Sequence, residues 1–351
     1  MKRNYIGMDV HQTSTAIVVV DDEGKVLQRT VVKTEGKTLR GLVSALPGRK
    51  ELTFEEGSMS EWLFGILEPV VDRLVVCNPM ANKTEFRGNK NDLLDAERLA
   101  ELLRIGHLKP VYHKAHPLRE IQSCLRTYHQ VTGDLVRAKN RLKVLFLSRG
   151  IAVGREVYDR EGGDLAAQGL SDPSDRERYR YLMDHVEFFT RQKESLTDDL
   201  VKKAKRNKDY RLLQTIPGIG PIHAAELMGV VLTPHRFRTK RQFWRFCGLA
   251  VVKRTSSDWI QGARGLERRT FEQTMGLNQD RHPVMKGVFM QAALVVTRSS
   301  PFKESYDSFI ARGHSPALAR VYIARKLATI TLTIWKQGGK FRPEMIASNP
   351  S

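Results

Sequence analysis

YIGMDV, residues 5–10, is an apolar run broken by one carboxylate, Asp9. A run this apolar reads as a strand buried inside a sheet. An acid in such a strand is costly unless it is paired or bound to a metal. Outward from Asp9, TSTAIVVVDD and KVLQRTVVK are β-branched runs joined by the turn residues Asp21–Gly24, which predicts a hairpin. EGKTLRGLVSAL has helical periodicity, ELTFEE reads as a strand and SEWLFGILEPVV as a helix. RLVVCNP then reads as a strand and NDLLDAERLAELLRIG as a helix. The order βββαβαβα predicts an α/β domain: a three-stranded meander, then strands alternating with helices on a mixed sheet.

The other acids of this region fall at element ends. Glu55 closes the fourth strand in TFEEG; Glu56 is its alternative, since only one of the two can point inward. Asp92 and Asp95 open the last helix, within NKNDLLDAERLAELLR at 89–104, and a spacing of three puts both on one face. A helix dipole alone accounts for acids in a first turn. The first and fourth strands of such a sheet are neighbours, so Asp9, Glu55, Asp92 and Asp95 are expected to converge. Four carboxylates converge only around a cation, because bare like charges force protonation. Hard oxygen donors select Mg²⁺ or Mn²⁺. Such ions clamp the attacking and leaving oxygens of a phosphate displacement. His11 reads as a structural neighbour of this site rather than a ligand.

The chain has 351 residues, which suggests two or three domains. The expected division is 1–112, 113–206 and 207–351. No apolar run reaches the roughly 18–20 residues of a membrane span, and the start lacks the apolar stretch of a signal peptide. Cys77, Cys124 and Cys247 show no zinc spacing and read as reduced core residues. These features predict a cytoplasmic protein with no membrane partner. The net charge is +19. Residues 1–110 hold 16 basic and 16 acidic residues, leaving 42 of the 58 basic and 23 of the 39 acidic residues behind them. A neutral front and a basic back predict a polyanion, nucleic acid, bound mainly by the back.

Residues 117–148 form a basic stretch with helical spacing, residues 150–178 read as a loop or mobile insertion, and 179–206 return to a charged helix. A helical hairpin or coiled coil follows. The remainder, 207–351, is expected to be mostly helical. In LLQTIPGIGPIHAAELM the turn around Gly218 and Gly220 resembles a helix-hairpin-helix, whose glycines bring backbone N–H groups to a phosphate; a plain helix–helix turn is the alternative. In PHRFRTKRQFWRFCGLAVVKRTSSDW, Arg236, Arg238, Lys240, Arg241 and Arg245 interleave with aromatics, a pattern suited to phosphates. An amphipathic helix with a basic outer face reads equally from most of them.

The front resembles the ribonuclease H-like, resolvase-like nuclease fold. The whole chain resembles the DEDD transposases of bacterial insertion sequences, whose recombinases are guided by a bridge RNA. The resemblance rests on GMDVH with Asp9, FEEGS with Glu55, and NKNDLLDAERLAELL with Asp92 and Asp95. Behind these come IPGIGPIHAAELM, RFRTKRQFWRFCGLAVVKRTSSDW and the C-terminal ARKLA helix. It implies a catalytic serine shortly after Gly248-Leu249-Ala250: Ser256, with Ser257 the alternative. The residues alone read there as a Ser/Thr-rich loop. It further implies a covalent phosphoserine–DNA intermediate, double-stranded donor and target DNA, a guide RNA, a homo-oligomer (dimer or tetramer) and a place with the bacterial nucleoid. A metal-dependent nuclease with water as nucleophile is the competing expectation. An actin-like kinase is disfavoured, because no Gly-rich phosphate loop follows Asp9.

Overall fold

The computed structural model describes residues 2–79, 91–113, 117–262, 265–298 and 301–347; within 256–271, and at 347, only the backbone is described. The chain divides into two compact units, Met1–His116 and Pro117–Ser351.

The first unit holds β1 (Arg3–Val10), β2 (Ser14–Val20), β3 (Val26–Lys33), α1 (Gly36–Ala45), β4 (Arg49–Glu55), α2 (Ser60–Leu67), β5 (Arg73–Cys77) and α3 (Asp92–Arg104). The sheet order is β3-β2-β1-β4-β5. β1 is antiparallel to β2 and parallel to β4, and β4 is parallel to β5. The mixed sheet and the βββαβαβα order agree with the expectation from the sequence. Both faces are covered. Ile6, Met8, Ile17, Val19, Leu52, Phe54 and Val76 pack against α1 and α2 through Leu39, Val43, Leu63 and Leu67. Tyr5, Ala16, Val18, Val20 and Val75 pack against Ala96, Ala100 and Leu103 of α3. Two-sided burial explains why β1 and β2 read as unbroken apolar runs. The edge strand β3 alternates half-buried and exposed residues instead. The β2–β3 turn is closed by Asp21, whose Oδ1 accepts from the N–H groups of Glu23 (3.1 Å) and Lys25 (2.8 Å).

In the second unit α4 (Arg119–Leu147) and α6 (Pro173–Ala204) form a helical hairpin. Residues 150–178 are not a plain loop: they hold a 3-10 turn at Glu156–Tyr158 and α5 (Arg160–Ala167), and α6 begins at Pro173. The two glycines of REGGDLAA hide this helix from a propensity reading, since each costs about 1 kcal/mol against alanine. They are there for packing: a Cβ at Gly163 would come within 2.2 Å of Met183 Cε and 2.6 Å of the Tyr179 hydroxyl. The far end of the hairpin has its own core, including Leu142, Phe146, Val157, Tyr179 and Met183. Arg149 closes it by donating from Nε to the buried Asp175 carboxylate at 2.5 Å.

Beyond it come α7 (Lys208–Leu213), α8 (Pro221–Val231), α9 (Lys240–Phe246), β6 (Val251–Gly262), β7 (Gly265–Leu277), α10 (Pro283–Val296), α11 (Phe302–Ala311), α12 (Pro316–Gln337) and α13 (Glu344–Ala347). One large core gathers the start of α4, the end of α6, and α8, α10 and α12. The helical character of this region matches the expectation, except for the long antiparallel ribbon β6–β7. Its sequence mixes charged residues with apolar ones on no fixed period, so nothing local announces a strand.

Candidate functional site: a carboxylate and histidine cluster

Gly7 fixes the geometry of the first unit's acids. A Cβ there would lie 2.0 Å from the Ala96 carbonyl oxygen and 2.5 Å from the Ala100 nitrogen. Only glycine lets α3 ride this close to β1. The contact also sets a register. Two residues along β1 from Gly7 lies Asp9; one helical turn back along α3 from Ala96 lies Asp92. The helix begins there because Asn91 caps it, its side chain accepting from the Leu93 N–H at 3.0 Å.

The imidazole of His11 completes the group. Its Nε2 lies 3.4 Å from Asp9 Oδ2 and 3.5 Å from Asp92 Oδ2. His11 is held at the β1–β2 turn, its N–H donating to the Ser14 carbonyl at 2.9 Å and its carbonyl accepting from the Thr34 hydroxyl at 2.8 Å. Asp9, His11 and Asp92 each offer a ligand atom within 4.8 Å of the others. The structure places His11 beside both acids, and its ring nitrogen is a further donor atom of the group. A histidine two residues past a strand acid is the signal that could have shown it.

Donor atoms on an octahedral ion with bonds of about 2.1 Å lie about 3.0 Å apart when adjacent and about 4.2 Å when opposite. The 3.4 and 3.5 Å separations are wider than the adjacent value, so a small inward movement of the side chains would let the group hold a divalent cation. The charges agree with that. Burial raises the Asp9 pKa above its ordinary value; the nearby charges of Asp92 and Asp95 push the same way, and His11 opposes them. A half-buried acid disfavoured as an anion is relieved by a bound cation.

Asp95 lies in the first turn of α3 and contributes charge at Asp9, but is not in the three-residue group. Glu55 ends β4 next to β1: Met8 pairs with Phe54, and one step further along both strands stand Asp9 and Glu55. Leu52 and Phe54 pack on the α1–α2 face, so strand alternation gives Glu55 the α3 face. Glu56 follows the strand's end, its N–H bonded to the Cys77 carbonyl at 2.8 Å. Glu55 is exposed and lies outside the three-residue group.

In the second unit Ser256 and Ser257 are consecutive residues of β6, paired with Phe271 and Thr270; their side chains lie outside the described residues. The reading of this segment as a loop is corrected to a strand. Gly218 has φ 78° and its missing Cβ would meet Ala292 O at 2.8 Å, so this glycine packs against α10. Gly220 caps α8 and has open space where a Cβ would be. Arg236 lies over the rings of Phe237 and Phe246 at 5.2 and 5.0 Å. Lys240 lies 5.9 Å from the centre of the Trp244 ring. Arg238 and Arg241 are exposed, and Arg245 is 3.5 Å from Asp280. All five belong to one short segment around α9.

A titratable pair that the sequence did not announce lies in the same unit. Glu226 of α8 is buried, and burial drives its pKa up to about 7. His129 of α4 is its neighbour at 3.4 Å, its own pKa lowered by burial.

A transposase family model, that of the DEDD transposases of the IS110 group, matches residues 6–148. A second, described as the transposase IS116/IS110/IS902 family, matches residues 210–307. The transposase for insertion sequence element IS1328 of Yersinia enterocolitica is 25% identical over 275 residues, 75% of this chain and 77% of that protein. The transposase for insertion sequence element IS1111A of Coxiella burnetii is 23% identical over 270 residues, 75% of this chain and 72% of that protein.

Proposed function

Because this chain belongs to the DEDD-type insertion-sequence transposases of the IS110 group, we propose that it moves DNA by metal-assisted phosphoryl transfer through a covalent phosphoserine–DNA intermediate. The observation that carries the metal half is the Asp9–His11–Asp92 cluster. Asp9, Glu55, Asp92 and Asp95 are the proposed carboxylate ligands of Mg²⁺ or Mn²⁺, with His11 as an added nitrogen donor. An imidazole in the set favours Mn²⁺ over Mg²⁺. The ion, when bound, supplies Lewis-acid polarisation of the phosphodiester.

Ser256 is the proposed nucleophile. Its hydroxyl oxygen attacks phosphorus, an O–P bond to serine forms, and the bond from phosphorus to the 3′ oxygen breaks. The serine proton leaves and the departing 3′ oxygen gains one, so the step is neutral in protons. The bond energy is kept in the phosphoserine ester, and strands reseal by the reverse attack without a nucleotide cofactor. The acids belong to the first unit and the serine to the second, so both must reach one phosphodiester, from one copy or from different copies of a homo-oligomer. The basic excess of residues 111–351 supports DNA as the polyanion. Guidance by an element-encoded RNA is carried over from the family: pairing would supply sequence choice and the protein would hold backbone and shape.

The test combines purified protein, the element's flanking transcript, two cognate DNA sites and Mg²⁺ or Mn²⁺, with a denaturing gel as readout. A protein–DNA adduct lost in Ser256→Ala and Asp9→Ala but kept in Ser257→Ala is the expected outcome. Cleavage without an adduct, surviving Ser256→Ala and abolished by Asp9→Ala, would mean a nuclease that uses water.

A further inference from the structure

The root of the β6–β7 ribbon is built around one arginine. The chain leaves α9 through Cys247–Ala250, turning at Gly248 with φ 66°; a Cβ there would lie 1.9 Å from Arg281 Cδ. Asn278, just past β7, ties the two ends together: its N–H donates to the Ala250 carbonyl at 2.8 Å and its side chain to the Arg245 carbonyl at 3.1 Å. From α12, Arg325 donates through Nε to the Leu249 carbonyl at 2.6 Å. Its guanidinium lies 5.8 Å from the centre of the Trp244 ring. The indole N–H in turn donates to the Arg325 carbonyl at 3.2 Å and the Thr329 hydroxyl at 3.1 Å. Lys240 stands 5.9 Å from the centre of the same ring. Its position is set by the start of α9, where Thr239 accepts from the Gln242 N–H and Gln242 accepts from the Arg238 N–H.

Two cations thus share one indole. Among the described residues no carboxylate lies within ion-pair distance of either. A guanidinium carries five N–H donors, and the Leu249 bond is the one hydrogen bond that the Arg325 guanidinium makes among the described residues. Burial lowers the Arg325 pKa, so this charge is partly stripped of water with no counter-charge in return. An anion with several acceptor oxygens would satisfy the remaining donors.

We infer that Arg325, together with Lys240, binds the phosphodiester backbone of DNA at the root of the β6–β7 ribbon. The inference rests on the reading of the chain as a DNA-acting transposase and does not require the serine chemistry. The phosphates held here are not the scissile one. Ser256 lies seven residues beyond Leu249, about 23 Å along an extended strand. The pair therefore fixes the register of flanking DNA, as phosphate contacts do, rather than acting on the reacting atoms. Duplex DNA is favoured over RNA by the ribbon itself. A two-stranded ribbon enters the major groove of B-form DNA, whereas the A-form groove is too deep and narrow.

The test measures binding of the full-length protein to a fluorescein-labelled DNA duplex by anisotropy over a range of NaCl, with EDTA present so that no cleavage occurs. Each lost phosphate contact lowers the slope of log K against log salt by about 0.9. R325Q and K240Q are each expected to lose about that much, and R325K, which keeps the charge, is expected to keep the wild-type slope. Thermal melting of each variant checks the fold; should R325Q fail to fold, K240Q and R325K decide. An unchanged slope in K240Q or a folded R325Q overturns the inference, as does equal weakening by R325K and R325Q at wild-type slope, which would make Arg325 a clamp on Leu249 alone. A slope change seen only with an RNA of the same sequence overturns it too. Because no chemistry is read, these outcomes are separate from those of the adduct assay.

Discussion

Replacing Gly7 with alanine tests the geometry from which the metal cluster was built. The added Cβ would lie 2.0 Å from the Ala96 carbonyl oxygen, against an ordinary contact of 3.4 Å. Both nearest atoms, Ala96 O and Ala100 N, are backbone, so no side chain can swing away. The helix α3 must lift from β1 by about 1.4 Å. Overpacking of this kind costs about 1–3 kcal/mol of stability. The functional cost is larger, because Asp92 opens the helix that moves while Asp9 and His11 stay with the sheet. A divalent ion with near-octahedral demands tolerates little of such a shift, and a misplacement of about 1 Å costs roughly 10²-fold in rate. Gly7→Ala is expected to stay folded, to weaken Mn²⁺ binding by ten-fold or more in isothermal titration, and to cut DNA cleavage by about 10²-fold. Gly65→Ala is the control: it lies in α2 with nothing within 4 Å of a Cβ. It should leave Mn²⁺ binding unchanged and raise the melting temperature slightly. Wild-type Mn²⁺ affinity in Gly7→Ala would refute the claim that the glycine contact sets the Asp9–Asp92 separation.

His11→Ala should weaken Mn²⁺ binding more than Mg²⁺ binding, since it removes a nitrogen donor; equal losses for both ions would make His11 a bystander. Glu226→Gln should stabilise the protein at pH 8 by about 3 kcal/mol. The sign follows from the raised pKa, about 7 against 4.5: between these values the folded state holds a proton the unfolded chain has lost, so wild-type stability falls as pH rises. The gain should vanish below about pH 4.5, and denaturant titrations at the two pH values that give the same difference would contradict the assignment. Arg149→Ala removes the partner of the buried Asp175 and should cost about 2 kcal/mol in urea unfolding. Adding Asp175→Asn should recover part of that loss, and a neutral single variant would show that the pair does not close the α4–α6 hairpin.

Much of the first unit was legible because its signals are local. Unbroken apolar runs with β-branched residues marked β1 and β2, the Asp21–Gly24 turn marked their hairpin partner, and the helical period marked α1 to α3. Acids at the ends of strands and at a helix start stood out because such positions make a carboxylate costly or useful. The charge split between residues 1–110 and the remainder pointed to a polyanion without any fold at all. Tertiary contacts decided the rest. Only the Gly7–Ala96 contact sets Asp92 across from Asp9, and only the turn held by Ser14 and Thr34 carries His11 between them. The α5 segment read as a loop because the reason for Gly163 is Met183 and Tyr179, residues of another helix. The β6–β7 ribbon was missed for the same cause: strand pairing is a bond between distant positions. Arg325 lies more than 70 residues from the Leu249 carbonyl it holds, a distance that no period, cap or motif in a linear sequence can span.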